Sequence, residues 1–433
     1  MTIAGSDSGG GAGIQADTRT FATLGVHGTS AITAITAQNT LGILETYHLP
    51  PSVIVDQMTA VFSDLDIRCV KTGMLATPKI AEAVADILSL HKVPVVVDPV
   101  MAAEAGGQLI EGDPKEVFKR LLPEAISVTP NTREAEILSG ISIRNIDDMK
   151  RAAYEIYAFG PKSVIVTGGH LNGTDVVYNG DFEVLKGSLI EGGTHGAGCT
   201  FSAAVTAFIA KGYDVPRSAK MAKAFVTEGI RSGERVGAGV GVVNQVAATL
   251  DKAERYLTVL DIEKALRTIK TISVELIPEV GSNLAMATSR AKTIADVAGV
   301  RGRIIKVGQT ITPVGCVAFG ASHHVSRVVL AAMQADTNMK SAMNVRCSKE
   351  VIDACRDLDF VISSFDKVEE PHTTSVAEWG TTNAIETSVE ARRGMPEVIY
   401  DSGSTGLEPM VRILGHSAQE VADKVVRISA MLR

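Results

Sequence analysis

The sequence has few aromatic residues: they make up 4% of its 433 positions, with a single tryptophan. It has five cysteines, Cys69, Cys199, Cys316, Cys347 and Cys355, and no two stand in a C-x-x-C pair. An odd number without paired spacing argues against a disulfide framework or a structural zinc site, and for a reducing compartment. There is no basic excess, since the formal net charge is -7. A general nucleic-acid binder needs clustered Lys and Arg against a polyanion, so that class is disfavoured. No run reaches the roughly 18 apolar residues of a membrane span, and the first residues carry no basic, then apolar, targeting pattern. The expectation is a cytoplasmic protein with neither membrane nor nucleic acid as partner. An anionic small molecule stays compatible, because local geometry outweighs a mild global charge.

Glycine is abundant instead, at 40 residues, in a chain 45% hydrophobic and 21% charged. That composition is globular and excludes a disordered chain. The length allows about two to four domains. Short β-rich runs alternate with longer helical patterns. VPVVV (93–97) ends at Asp98-Pro99, ISV (126–128) at Thr129-Pro130-Asn131, and SVIV (163–166) at Thr167-Gly168-Gly169. Uniformly apolar strands separated by helices predict a mostly parallel sheet covered on both faces. Ligands of such sheets lie beyond the carboxyl ends of the strands, so the polar residues just after these runs are the first candidates. The irregular Gly/Val/Ala-rich stretch 233–249 precedes a charged segment, which places a boundary near residue 253. Residues 254–433 then form a second, smaller α/β domain. Strands are expected at 303–307, 360–363, 398–400 and 410–414, and helices at 322–334 and 417–432. Ser417 and Glu420 are read as a capping box.

The segment 192–200 (GGTHGAGCT) precedes a helical pattern of Phe201, Ala204, Val205, Phe208 and Ile209. Its glycines let backbone amides approach an anion, and a helix N-terminus adds unpaired N–H groups. It fits G-x-x-x-x-G-K-[ST] except that Cys199 stands where the lysine belongs, which disfavours a P-loop NTPase. In the first turn of a helix Cys199 is expected to have a lowered thiol pKa, as a base or orienting group. The alternative is a small buried hydrophobe. GAGIQA (11–16) matches G-x-G-x-x-A, but Glu45 is too distant to be the acidic partner of a dinucleotide site. Asn131 and Glu134 form N-x-x-E. From spacing alone this is an ordinary capping box, and the functional alternative makes Glu134 an organiser of Mg²⁺ near phosphates.

Taken together, residues 2–46, KTGML (71–75), VDPVM (97–101), TPNTREA (129–135), TGGH (167–170) and THGAGCT (194–200) resemble the hydroxymethylpyrimidine kinase/phosphomethylpyrimidine kinase of thiamine biosynthesis. This family is part of the ribokinase-like superfamily. The resemblance spans residues 1–245. It implies a mostly parallel sheet flanked by helices, and two successive ATP-dependent phosphorylations of 4-amino-5-hydroxymethyl-2-methylpyrimidine. It also implies homo-oligomers. The residue roles it carries over place Gln38 on the pyrimidine edge, Met74 and Val100 against the ring, and Gly5 and Asp7 in the pocket wall. Gly196, Ala197, Gly198 and Cys199 become an anion hole, with Cys199 where ribokinases have an aspartate base. Asn131 and Thr167 fall beside ATP, and Asp98 and Glu134 around Mg²⁺. Many relatives have a lysine where Thr167 stands, so another cation must face the phosphates here. Pyridoxal kinase is the nearest rival within this fold, and Gln38 in TAQNT favours the pyrimidine.

In the second domain, Ser322 precedes His323 and His324 at a predicted helix start. Arg301 and Arg303 flank a predicted strand, where alternation puts them on one face. The 401–406 segment (DSGSTG) suits a phosphate or a simple turn. With PEVGSNLAMA (278–287), GRIIKV (302–307), FGASHHVSRVVLAAM (319–333) and SAMNVR (341–346), this half resembles the thiamine-phosphate synthase domain found fused behind such kinases. The resemblance implies condensation of the pyrimidine pyrophosphate with a thiazole phosphate, releasing pyrophosphate. Arg303 and His324 match the expected catalytic pair, and Asn283, Ser322, Asn344 and Asp401 are ligand candidates. A non-catalytic domain that senses thiamine phosphate is the alternative.

Overall fold

The computed structural model describes residues 1–102, 107, 109–365, 376–403 and 408–432. It divides into two compact units, Met1–Leu250 and Asp251–Arg433.

The strands of the first unit are β1 (Thr2–Asp7), β2 (Ser30–Asn39), β3 (Gly42–His48), β4 (Val70–Thr72), β5 (Val95–Val97), β6 (Ala125–Val128), β7 (Val164–Val166), β8 (Asp175–Tyr178) and β9 (Phe182–Leu185). They form one sheet in the order β3-β2-β1-β4-β5-β6-β7-β8-β9. From β2 to β7 every neighbour is parallel, and the antiparallel pairs lie at the two edges. The parallel sheet expected from the sequence is thus present, and the physical reason is visible residue by residue. Val95 and Val97 point into one apolar layer, with Ile54, Met58, Val84 and Leu138. Val96 points into the opposite layer, with Phe201, Val205 and Phe208. A strand buried on both faces has little place for an unpartnered polar side chain, so β5 reads as a continuous apolar run.

Among the described residues, eight helices cover these faces: α1 (Gly13–Thr23), α2 (Pro51–Asp64), α3 (Pro78–His91), α4 (Pro114–Phe118), α5 (Thr132–Ser139), α6 (Ile146–Tyr157), α7 (Ala197–Ala210) and α8 (Val215–Arg231). Helix α7 is buried from Thr200 to Ile209, which its small residues permit. Asn131 and Glu134 do form a reciprocal capping box at α5: the Asn131 side chain accepts from the Glu134 N–H, and the Glu134 carboxylate accepts from the Asn131 N–H.

The second unit contains α9 (Ala247–Ile269) from Asp251 onward, then β10 (Leu284–Ala287), β11 (Val297–Val300), β12 (Ile304–Val307), β13 (Thr310–Pro313), β14 (Val317–Phe319), α10 (His323–Ala335), β15 (Ser341–Arg346), α11 (Lys349–Asp357), β16 (Ile362–Phe365), α12 (Val376–Glu390), β17 (Val398–Asp401), β18 (Met410–Gly415) and α13 (Ala418–Met431). Its main sheet runs β14-β11-β10-β15-β18-β17-β16, and only β16–β17 is parallel. One face packs on Ile262, Leu266, Val421, Val425 and Ile428, and the other on Val325, Val328, Val329 and Ile385. Helices on both faces again make the strands apolar, so run composition alone does not distinguish this antiparallel sheet from the parallel one.

Three local expectations change. Ser417 does cap α13, but Glu420 accepts from the His416 N–H and does not close a box on Ser417. Ser322 holds the N-cap position of α10, yet its side chain makes no capping bond. Strand β12 begins at Ile304, and Gly302 turns the chain with φ +79°, so strand alternation does not connect Arg301 with Arg303. Ser404, Thr405 and Gly406 of the DSGSTG segment lie outside the described residues. No described helix is long and apolar enough to cross a membrane.

Candidate active sites

The carboxyl ends of β1, β4, β5, β6 and β7 open into one cavity of about 1290 Å³ in the first unit, and every first-unit candidate from the sequence lines it. Asp7 ends β1 and is buried. Its carboxylate accepts from the N–H groups of Gly9 (2.8 Å), Gly11 (2.9 Å) and Ala12 (2.8 Å), so it shapes the glycine turn that leads into α1. Burial works to raise its pKa, but the hydrogen bonds from His195, Ala12 and Gly9 hold it below the usual carboxylate value. His195 Nε2 lies 3.2 Å from Asp7 Oδ2 and 3.4 Å from the Gln38 amide nitrogen. The sequence reading quoted His195 in the loop but gave it no role. Gln38 sits where β2 shifts register against β3, and that irregularity lies beside its place on the cavity wall. Met74 and Val100 follow β4 and β5 into the same wall.

Gly196 opens α7 with φ +85°, and a Cβ there would come within 1.9 Å of the Gly11 carbonyl oxygen. Only glycine allows the two loops to touch, and that contact sets the 196–199 amides at the helix start. Beneath them lies a buried charge cluster absent from the sequence reading. Lys71 Nζ is 2.8 and 2.9 Å from the Asp17 oxygens and 3.6 Å from Asp98 Oδ2, all three side chains being almost wholly buried. Burial would lower the Lys71 pKa, but the carboxylates of Asp17 and Asp98 more than offset it, so the ammonium stays charged. One signal for Lys71 was in the sequence: a lysine after Cys69-Val70 in a short buried strand needs a partner.

The lowered thiol pKa expected for Cys199 is not found. Cys199 does occupy the first turn of α7, but burial pushes its thiol up to about 12. Lys71 pulls it down, while Asp17 and Asp98 push it up further. The thiol is therefore neutral at physiological pH. Desolvation outweighs the helix dipole here, whose effect is worth only about 0.3–2 kcal/mol.

Asp98 accepts from the Ser202 hydroxyl at 2.7 Å. Glu134 is pushed up to about 8, first by burial and then by repulsion from Asp98. Two buried carboxylates that repel each other beside a cavity fit a divalent cation. Among the described residues no group of three His, Cys, Asp or Glu side chains could hold a metal. A two-carboxylate site completed by substrate phosphates is the usual Mg²⁺ arrangement. Thr167 follows β7 and bridges to Asn131, its N–H bonded to the Pro130 carbonyl. Cations do face this side: Arg133, Lys186, Lys220 and Lys223 line the cavity. Lys223 pairs with Asp175 at 2.7 Å, and Asp175 in turn accepts from the Gly168 N–H.

In the second unit Arg303 is exposed and donates to the Val280 carbonyl. His323 and His324 are exposed in the first turn of α10. The structure takes the other candidates inward. The Asn283 side chain donates to the Val300 carbonyl (2.8 Å) and accepts from the Val300 N–H (3.0 Å). The Asn344 side chain accepts from the Asn283 N–H (2.7 Å) and donates to the Gly281 carbonyl (3.2 Å). Asp401 is fully buried and paired with Arg412 at 2.7 Å. The polar atoms of Asn283, Asn344 and Asp401 are thus bound within the protein, which is at odds with a ligand-contacting role. Ser322 is buried beside Gly299 and Asn283.

Comparison with known proteins covers both units. The phosphomethylpyrimidine kinase family matches residues 7–244, and the thiamine-phosphate synthase ThiN family matches residues 261–427. The chain is 33% identical to the bifunctional thiamine biosynthesis protein ThiDN of Methanocaldococcus jannaschii over 427 residues, 98% of this chain and 97% of that one. It is 42% identical to the hydroxymethylpyrimidine/phosphomethylpyrimidine kinase of Streptomyces coelicolor over 249 residues, 56% of this chain and 93% of the relative. Among solved structures, an ADP complex of Bacillus subtilis pyridoxal kinase superposes with a TM-score of 0.54 at 38% identity, covering 57% of this chain and 97% of the other.

Proposed function

The chain belongs to the phosphomethylpyrimidine kinase family and carries a thiamine-phosphate synthase domain behind the kinase, and from that premise we propose how its two sites work. It is a phosphotransferase and a synthase of thiamine biosynthesis. The first unit phosphorylates hydroxymethylpyrimidine twice with ATP. The second joins the resulting pyrophosphate to hydroxyethylthiazole phosphate and releases pyrophosphate. The observation that carries the kinase reading is one cavity with Gln38 on its wall and the Gly196–Cys199 helix start at its floor. Gln38 suits an aminopyrimidine because an amide both donates and accepts. The helix start suits the transferring phosphoryl group, whose chemistry depends on positioning and charge stabilisation. Asp98 and Glu134 would hold Mg²⁺, which would neutralise phosphate charge. Lys220 or Lys223 would stand in for the lysine that Thr167 replaces.

Cys199 enters the reaction as a neutral thiol, orienting the hydroxymethyl group. In the second unit Arg303 would stabilise the departing pyrophosphate, and His324 would position the reacting groups. The similarity to pyridoxal kinase supports a second reading in which pyridoxal is also phosphorylated.

The test is an end-point assay of the full chain with hydroxymethylpyrimidine, ATP, Mg²⁺ and thiazole phosphate, read by mass spectrometry. Thiamine phosphate is expected. Accumulation of the pyrimidine pyrophosphate alone would leave the second unit a sensor. Failure to phosphorylate the pyrimidine while pyridoxal reacts would move the kinase to the other substrate. Arg303→Ala and His324→Ala are each expected to cut thiamine phosphate formation to a small residual rate while the pyrimidine pyrophosphate still forms.

A further inference from the structure

The side chain of Arg303 leans on a short loop, 278–283, that the surrounding protein holds from three directions. Backbone bonds in both directions join Ser282 to Ile304 (2.9 and 2.7 Å), next to Arg303 in the chain. The Glu408 carboxylate accepts from the N–H groups of Glu279 (3.1 Å) and Val280 (3.2 Å). Buried Asn344 accepts from the Asn283 N–H at 2.7 Å and donates to the Gly281 carbonyl at 3.2 Å. Gly281 has φ +80°, and a Cβ on it would lie 3.1 Å from Arg303 Cδ and 3.2 Å from Arg303 Cβ. The next carbonyl back, on Val280, accepts from the Arg303 guanidinium.

These contacts form a chain from the middle of the sheet to the exposed guanidinium. Asn344 fixes the two backbone groups that flank Ser282, and the loop so fixed gives Arg303 both a surface for its methylenes and an acceptor for one N–H. A guanidinium has five N–H donors, so the others stay available to a pyrophosphate. An arginine on a flexible stem would otherwise have to be ordered as charge develops on the departing pyrophosphate.

We propose that Asn344 and Gly281 are positioning residues for the synthase reaction: they hold loop 278–283 so that Arg303 is set in place before the pyrimidine pyrophosphate arrives. The proposal rests on the synthase reading and on Arg303 as its pyrophosphate ligand. Asn344, one of the ligand candidates in the sequence, acts through Arg303 without touching substrate. Glu408 holds the same loop at Glu279 and Val280.

The test uses the full chain supplied with preformed pyrimidine pyrophosphate and thiazole phosphate, with kcat and KM measured separately. Asn344→Ala is expected to lower kcat on the order of 10- to 100-fold, the usual effect of displacing a positioned group by about an ångström. KM is expected to change by less than about threefold, because the lost interaction belongs to the transition state. Gly281→Ala, which crowds Arg303 directly, is expected to do the same. The decisive measurement is a double-mutant cycle: with Arg303→Ala already present, adding Asn344→Ala is expected to change kcat by less than about twofold. An equal loss in both backgrounds, or a fall in thermal midpoint with kcat per folded chain unchanged, would make Asn344 merely structural and overturn the proposal. Wild-type protein that forms no thiamine phosphate from these two substrates would remove the synthase reading, and the proposal with it.

Discussion

The two units solve the problem of buried polarity in opposite ways. In the first, charged groups are buried at the cavity. Lys71, Asp98 and Glu134 line it, Asp17 is buried behind Lys71, and their mutual fields decide which of them are ionised. In the second, the buried polar groups are spent on the backbone or on each other, as with Asn283, Asn344 and the Asp401–Arg412 pair, while Arg303 and His324 are exposed. A parallel sheet offers the open carboxyl ends of several strands at one place, and polar residues gather there. The antiparallel sheet spreads its strand ends over both edges, and the side chains proposed to react stand on a loop and on a helix start. The first arrangement tunes protonation by burial. The second depends on holding exposed side chains still.

The largest expected effect tests the first half of that contrast. Lys71→Met leaves Asp17 and Asp98 buried without their cation, which typically costs about 3–5 kcal/mol. Kinase activity should be lost and the first unit should unfold earlier in urea, while thiamine phosphate still forms from supplied pyrimidine pyrophosphate. Equal loss of both activities would mean that the two units do not keep their stabilities apart. Next comes Gly196→Ala. The added methyl group has no room against the Gly11 carbonyl, and φ +85° is unfavourable for alanine. Phosphorylation of hydroxymethylpyrimidine should fall on the order of 100-fold or more, since the floor amides must move by about an ångström. Steady-state kinetics would show a fall in kcat.

The first unit was the more legible of the two in the sequence, for physical reasons. Its apolar runs end in polar turns, and each such turn reaches the cavity because the parallel sheet aligns them. Asp98, Asn131 and Thr167 could be found that way. The state of Cys199 could not, because it depends on burial and then on Lys71 of β4 and Asp17 of α1, which are remote in sequence and meet only in the folded chain. His195 was in plain view inside the glycine loop, but its partner Asp7 stands 188 positions earlier. In the second unit, Arg303 and His324 were legible through resemblance. The inward turn of Asn283 and Asn344 was not, since an asparagine beside a strand reads the same whether it holds the backbone or a ligand. The antiparallel topology was hidden for a similar reason: helices cover both faces, so polar alternation never appears.

A smaller effect sharpens the claim that burial tunes protonation. Glu134 has its pKa raised from 4.5 to about 8. The native state therefore binds a proton more tightly than the unfolded chain. The resulting stabilisation is fully present below about pH 4.5 and is lost as pH rises through about 8. Without divalent cation, the thermal midpoint of the first unit should fall across that window, and Glu134→Gln should flatten the fall. Added Mg²⁺ should also reduce it, by favouring the carboxylate. A slope unchanged in Glu134→Gln would place the titration elsewhere.

The smallest effect concerns Cys199. A thiol at about 12 is neutral over the working range, so removing it takes away no charge. Cys199→Ser keeps a small hydroxyl at the same place in the helix's first turn and should lower kcat for phosphoryl transfer by less than about tenfold, since positioning and charge stabilisation dominate that step. The pH profile of kcat should keep its shape. A thiolate base would give the opposite result: a loss of 100-fold or more, and disappearance of a limb of the profile that titrates below about pH 9. That outcome would show that bound substrate reverses the balance between desolvation and the Lys71 charge. The first unit would then resemble the second in one respect, with its reactive group set by what approaches it and not by what it is buried among.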